Sequence, residues 1–180
     1  MNLTTVTYED YSRRVNRFMR IAEDADKLPA FAFLTQIAQA AADLCSGILG
    51  LPDDEPETDV DRTAGSLVFD EPRAPIFSMI REKLGSADGY WEVFDPTQKD
   101  EPVMASLADD IGDTYHDLKK GLRLAERGAS PSEVIHEWRS LFYIHWGYHA
   151  AGAVRAIYWL LRDRWHNGLM DGLPSTDLSS

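Results

Sequence analysis

Apolar residues recur at three- and four-residue steps through most of the chain, and five helices follow from that spacing. Tyr8, Tyr11, Val15, Phe18 and Ala22 form one stripe, so a first helix is expected over about Tyr8–Glu23, with Thr7 and Asp10 as a capping pair. The second starts near Pro29 and stops at Gly50, with Phe33, Ile37, Ala41, Leu44 and Ile48 inward and many alanines for close contact with another helix. A short third helix covers Ala74–Leu84, with Ile76, Phe77, Ile80 and Leu84 inward and Gly85 as its stop. The fourth is capped by Ser106, with Asp109 three residues on, and reaches about Arg127. The fifth carries the cleanest start, Ser130, Pro131 and Glu133, and runs to about His166; Gly147 and Gly152 mark a bend or a close crossing. Tyr90-Trp91-Glu92-Val93-Phe94 reads either as a short strand paired with Ser66–Phe69 or as an apolar flap. The expectation is an all-α compact bundle of about five helices, with at most a minor two-stranded element. One helical domain spans residues 1–167, and 168–180 form a loosely held tail.

Composition agrees with one globular domain. A chain of 180 residues with 44% hydrophobic and 11% aromatic residues is long enough to bury a core without a disulfide or metal staple. The formal charge is −12, and it is unevenly placed. Between Leu51 and Pro72 there are eight acids and one base, so that stretch alone carries −7, in a loop that also contains three prolines. An acidic chain lacks the basic field that nucleic acid or an anionic membrane requires, so neither is expected as a partner. The lone cysteine, Cys45, sits in an apolar helical stretch with no electropositive neighbour, as in a reduced cytoplasmic protein. The first ten residues have neither a basic start nor an apolar run, and no stretch reaches about 20 uncharged apolar residues, so a cytoplasmic location is expected.

Helical phase also separates the acids of the fourth helix. Leu107, Ile111, Tyr115, Leu118 and Leu122 face inward, and Asp110, Asp113 and Asp117 form a row on their flank. Asp109 and His116 point away. On the fifth helix the inward face is Val134, Trp138, Leu141, Phe142, Gly152, Ala156 and Leu160, and His145 and His149 lie in its middle, one turn apart. Glu137, Tyr148 and Arg155 are expected along one edge of that face. Imidazoles on an apolar face need partners, and the acid row is the natural one. Two outcomes stay open. Either Asp, His, Tyr and Arg form a buried network that fixes helix packing, or His145, His149 and an acid such as Asp113 hold a metal. Mixed imidazole and carboxylate donors suit Zn, Mn, Fe or Ni, and an open position would activate water.

Other patterns fall away. Asp109-Asp110-Ile111-Gly112-Asp113 spells the aspartate-rich motif of helical isoprenoid synthases, but the chain is far shorter than those enzymes and lacks a second metal motif. Glu133 and His136 make half of a di-iron signature with no second pair, and they point away from the apolar face. Helical nucleotide pyrophosphatases use paired acids on adjacent helices; Asp110 and Asp113 match one pair, and Glu137 stands alone on the next helix. Four of the five tryptophans (Trp138, Trp146, Trp159, Trp165) fall in the last helix, which marks it as the central core element.

The run Ser106-Leu-Ala-Asp-Asp-Ile-Gly-Asp-Thr-Tyr-His-Asp-Leu-Lys, followed by Glu137-Trp-Arg-x-x-Phe-x-x-His-Trp-Gly-x-His and Ala153-Val-Arg-Ala-Ile, resembles an uncharacterised bacterial family known only as a domain of unknown function. The likeness spans about Tyr90 to Trp159 and implies an all-helical fold with the two motif helices adjacent. It implies no activity, ligand or catalytic residue. Three functions follow from the residues themselves. The first is a non-enzymatic binding or interaction protein, built around Asp110, Asp113, Asp117, Glu137, Trp138, His145, Tyr148, His149 and Arg155, with a protein or small-molecule partner. The second is a metal-dependent hydrolase of a phosphate ester or similar small substrate. The third is an acidic protein-binding inhibitor that uses the Leu51–Pro72 loop.

Overall fold

Capping chemistry sets most helix starts. In the computed structural model, which describes residues 6–52 and 74–167, helix α1 (Tyr8–Glu23) begins where the Thr7 side chain accepts from the Asp10 N–H, and α2 (Ala30–Leu49) begins directly after Pro29. Helix α3 (Ala74–Leu84) gives way to a 3₁₀ turn at Gly85–Ala87, where Gly85 takes φ +55°. Strands β1 (Gly89–Glu92) and β2 (Val103–Ser106) form an antiparallel pair that places Tyr90 opposite Ala105 and Glu92 opposite Val103. Helix α4 (Leu107–Glu126) is capped by Ser106, which accepts from the Asp109 N–H. Helix α5 (Pro131–Leu141) has both halves of the Ser130–Glu133 capping box, and it runs through a π turn (Phe142–Trp146) into α6 (Gly147–Asn167). Counting that rod once, the fold is all-α with five helices and one small sheet among the described residues.

Three expectations fall wholly or partly outside the described residues: the acidic loop, whose residues 53–72 are not described, the Ser66–Phe69 strand and the tail 168–180. The Tyr90 strand finds β2 as its partner. The last rod is not a plain α-helix, because the π turn inserts just before Gly147.

The core is apolar and shared by all the long helices. Helix α2 packs along both α1 and α6, while α4 packs against α3, α5 and α6. Phe33, Leu34, Ile37, Ala40, Ala41, Leu44 and Ile48 of α2 are buried against Tyr11, Val15, Phe18 and Ala22 of α1, the stripes expected from their spacing. By length and composition α2 is apolar enough to cross a membrane, yet its apolar face here forms one wall of the core. Cys45 on the same helix is half-buried, and burial raises its thiol pKa.

The two ends of the α5–α6 rod differ. Trp138 is fully buried between Tyr8 and Tyr11 (ring centroids 6.1 and 5.4 Å away), with its indole N–H donating to the Leu118 carbonyl at 2.9 Å. That indole lies across Gly121, where a Cβ would come within 2.2 Å of Nε1. Trp146 is also fully buried. Trp159, expected in the core, is half-exposed beneath Arg162, and nothing is described of the Trp165 side chain. The rod is central along its length, with Ala150, Ala153, Ala156, Ile157 and Leu160 buried in α6, but its tryptophans mark only the first half of that core.

Candidate functional site

The π turn sets the site's geometry. Its i to i+5 bond runs from the Gly147 N–H to the Phe142 carbonyl, and a Cβ at 147 would sit 2.4 Å from that oxygen. Only glycine fits there without displacing the turn. A π turn adds a residue to one helical turn, so everything after it is rotated relative to an unbroken α-helix. Glu137 precedes the turn and stands at the Asp117 end of the cluster, with Lys120, Asp117 and His136 as electrostatic neighbours, while Tyr148 and Arg155 meet Glu92 at the other end; burial raises the Glu137 pKa. Trp138, also proposed for the cluster, belongs to the core described above.

The remaining candidates meet. Asp110, Asp113 and Asp117 are buried on α4, and His145 and His149 approach them from the opposite rod. The contacts are ordered. His149 Nδ1 lies 2.9 Å from Asp110 Oδ1, and His145 Nδ1 lies 2.7 Å from Asp117 Oδ2. A carboxylate only accepts, so both Nδ1 atoms carry the proton and both Nε2 atoms hold the lone pair in the neutral ring. Those Nε2 atoms turn toward the middle acid: His149 Nε2 is 3.6 Å and His145 Nε2 is 4.0 Å from Asp113 Oδ2. The two outer acids orient the imidazoles and the central acid faces them.

Strand β1 closes one end of this arrangement. Period-two alternation sends Tyr90 and Glu92 to one face and leaves Trp91 outside, 55% exposed. The Tyr90 hydroxyl donates to Asp110 Oδ2 at 2.6 Å and lies 3.1 Å from Glu92 Oε2. Glu92, only 5% exposed, also accepts from the Tyr148 hydroxyl at 2.7 Å and from Arg155 at 2.6 Å. Gly152 makes room for this contact, since a Cβ there would meet the Tyr90 hydroxyl at 2.8 Å and Glu92 Oε1 at 3.1 Å. At the other end, Lys120 donates to Asp117 Oδ1 at 2.8 Å. Tyr90, Glu92 and Lys120 were not among the expected site residues. The readable signal was a glutamate two residues from a tyrosine inside an otherwise apolar five-residue run. Asp109 is exposed as expected, and His116 is half-buried outside the cluster.

Four buried acids gather here: Glu92 pairs with Arg155 and Asp117 with Lys120, while Asp110 and Asp113 face the imidazoles. Protonation equilibria shift accordingly. Burial pushes the Asp110 carboxyl up and outweighs the opposing hydrogen bonds from His149 and Tyr90. For His149, burial works against the imidazolium, but the hydrogen bond and charge of Asp110, with the charges of Asp113 and Asp109, overcome it and raise the pKa. Burial and the neighbouring acids raise the Tyr90 and Tyr148 hydroxyls well above the usual phenol range, so both remain donors. Both members of the Asp110–His149 pair thus favour an added positive charge.

Comparison with known proteins adds a family and a fold. The model of a domain of unknown function (DUF5063) matches residues 4–163. No curated protein matches the chain. The crystal structure of protein BF1032 from Bacteroides fragilis is similar in fold, with a TM-score of 0.59 at 17% sequence identity over 82% of this chain and 87% of that one.

Proposed function

We propose that this chain, which belongs to the DUF5063 family, is a metal-binding helical protein. His145 Nε2, His149 Nε2 and an Asp113 carboxylate oxygen hold one divalent transition-metal ion. The observation that carries the reading is the orientation of the two imidazoles: each is fixed through Nδ1 by its own aspartate, so that both Nε2 lone pairs are presented toward Asp113. A carboxylate behind each ligating histidine is the usual outer support of such centres, because it fixes ring orientation and increases ligand basicity. The three donor atoms lie within 4.8 Å of one another. Bonds of about 2.1 Å would bring them to roughly 3.0–3.5 Å apart, a contraction that small side-chain rotations accomplish.

A packing-only network explains the Nδ1 contacts equally well; the metal reading rests on both Nε2 atoms approaching one and the same oxygen, Asp113 Oδ2. Two imidazoles and one carboxylate favour Zn, Mn, Fe or Ni over Mg or Ca. The test is metal analysis of purified protein combined with thermal shift against these four metals, on the wild type and on His149→Ala. At a metal concentration 100-fold above Kd the stabilisation is about 2.7 kcal/mol, which is roughly 5–10 °C for a domain of this size. The wild type is expected to show it and the variant to lose it. No copurifying metal and no shift in the wild type would remove this function.

A further inference from the structure

The same centre has a second property, and it rests on the metal reading above. Structural zinc sites close with four protein ligands, whereas sites that work on exogenous molecules hold three and leave a position open. The nearest additional acids are already committed. Asp110 uses Oδ1 for His149 and Oδ2 for Tyr90, and Asp117 uses Oδ2 for His145 and Oδ1 for Lys120. Glu92 has both oxygens engaged, by Arg155 on one and by the Tyr148 hydroxyl on the other. Drawing any of these onto the metal would unseat a histidine, a buried hydroxyl or a cation. Among the described residues, the set able to share an ion is Asp113, His145 and His149 alone.

The three ligands are also unequally covered. The side chain of Asp113 is 7% exposed and that of His149 17%, while His145 is 38% exposed. The site therefore opens to solvent on the His145 side. From these two observations we infer that the bound metal keeps at least one coordination position open on the His145 side, filled by water that a small exogenous donor can replace. The same position is where a metal-activated water would stand in hydrolysis.

The experiment is visible spectroscopy of the Co(II)-loaded full chain during titration with sodium acetate and, separately, with sodium azide. The expected result is a saturable change in the cobalt bands with both anions, starting from a spectrum that forms at one Co(II) per chain. Bands that form and stay unchanged at high concentrations of either anion mean a closed site. That outcome overturns this inference and leaves metal binding standing. If no cobalt spectrum forms in the wild type, or if an equal one forms in a His145→Ala/His149→Ala double variant, both readings fall.

Discussion

Two seams run through this molecule, and both are buried. The α1–α2 seam is closed by Tyr11, Val15, Phe18 and Ala22 against Ile37, Ala41, Leu44 and Ile48, side chains that are hydrocarbon but for the Tyr11 hydroxyl. Beyond the Trp138 contact with Leu118 and Gly121, the seam between α4 and the last rod is closed by three aspartates, two histidines and a tyrosine, with Glu92 of β1 sealing the end. Burying ions costs several kcal/mol each unless they are well paired, and apolar substitutes of similar volume often stabilise as well or better. A chain that already has one apolar seam of this length has no need of the second for folding. Ordered, buried ionisable groups in such a place point to binding.

The contrast is breakable in graded steps. Trp138→Ala removes an apolar anchor shared by α1, α4 and α5 and is expected to cost about 3–5 kcal/mol of stability, measured by urea unfolding. If the seams are separable, metal affinity of the folded fraction changes little. Asp110→Asn and Asp117→Asn act the other way. Each keeps the shape of the outer support but weakens its hold on one imidazole, so metal affinity should fall roughly 10- to 100-fold in a competition titration, with little loss of stability. Equal affinity in both variants would show that the Nδ1 contacts serve packing alone.

A smaller effect is expected from Gly152→Ala, which pushes a methyl group against the Tyr90 hydroxyl and the Glu92 carboxylate. The far ends of two side chains yield more readily than backbone, so about 1 kcal/mol is the expected loss, with β1 amides exchanging faster in hydrogen-exchange measurements. The smallest effect is on pH. The His149 pKa is raised in the folded protein, so in metal-free protein its contribution to stability is full below its unfolded pKa of about 6.5 and fades as pH rises through the folded value. Comparing wild type with His149→Gln between pH 5 and 9 should show the wild-type advantage shrinking as pH rises; a constant or growing gap would reverse the assignment.

Much of this architecture is written in residue spacing. The stripes on α1, α2 and α4, the Ser106 and Ser130 caps and the row Asp110, Asp113, Asp117 all follow from a 3.6-residue period and the chemistry of helix ends. The π turn does not, because adding a residue to one turn changes phase without changing composition. It shifts what lies beyond it, which is why Glu137 stands at the Asp117 end of the cluster, apart from Tyr148 and Arg155, while His145 and His149 face the acid row. Strand β2 left little trace, since Val103–Ser106 is four residues long and its first two are exposed. Glu92 was hidden for a related reason. Its role depends on a strand pairing and on the space above Gly152, and neither is a property of neighbouring residues in sequence.

The central claim is that the α4–α6 seam holds one metal ion through His145, His149 and Asp113. Equilibrium dialysis of wild type and of the His145→Ala/His149→Ala double variant against Zn(II), with circular dichroism confirming that both are folded, tests it most directly. One ion per wild-type chain and none in the double variant is the predicted result. No bound zinc in the wild type, or the same stoichiometry and affinity in both proteins, would contradict it.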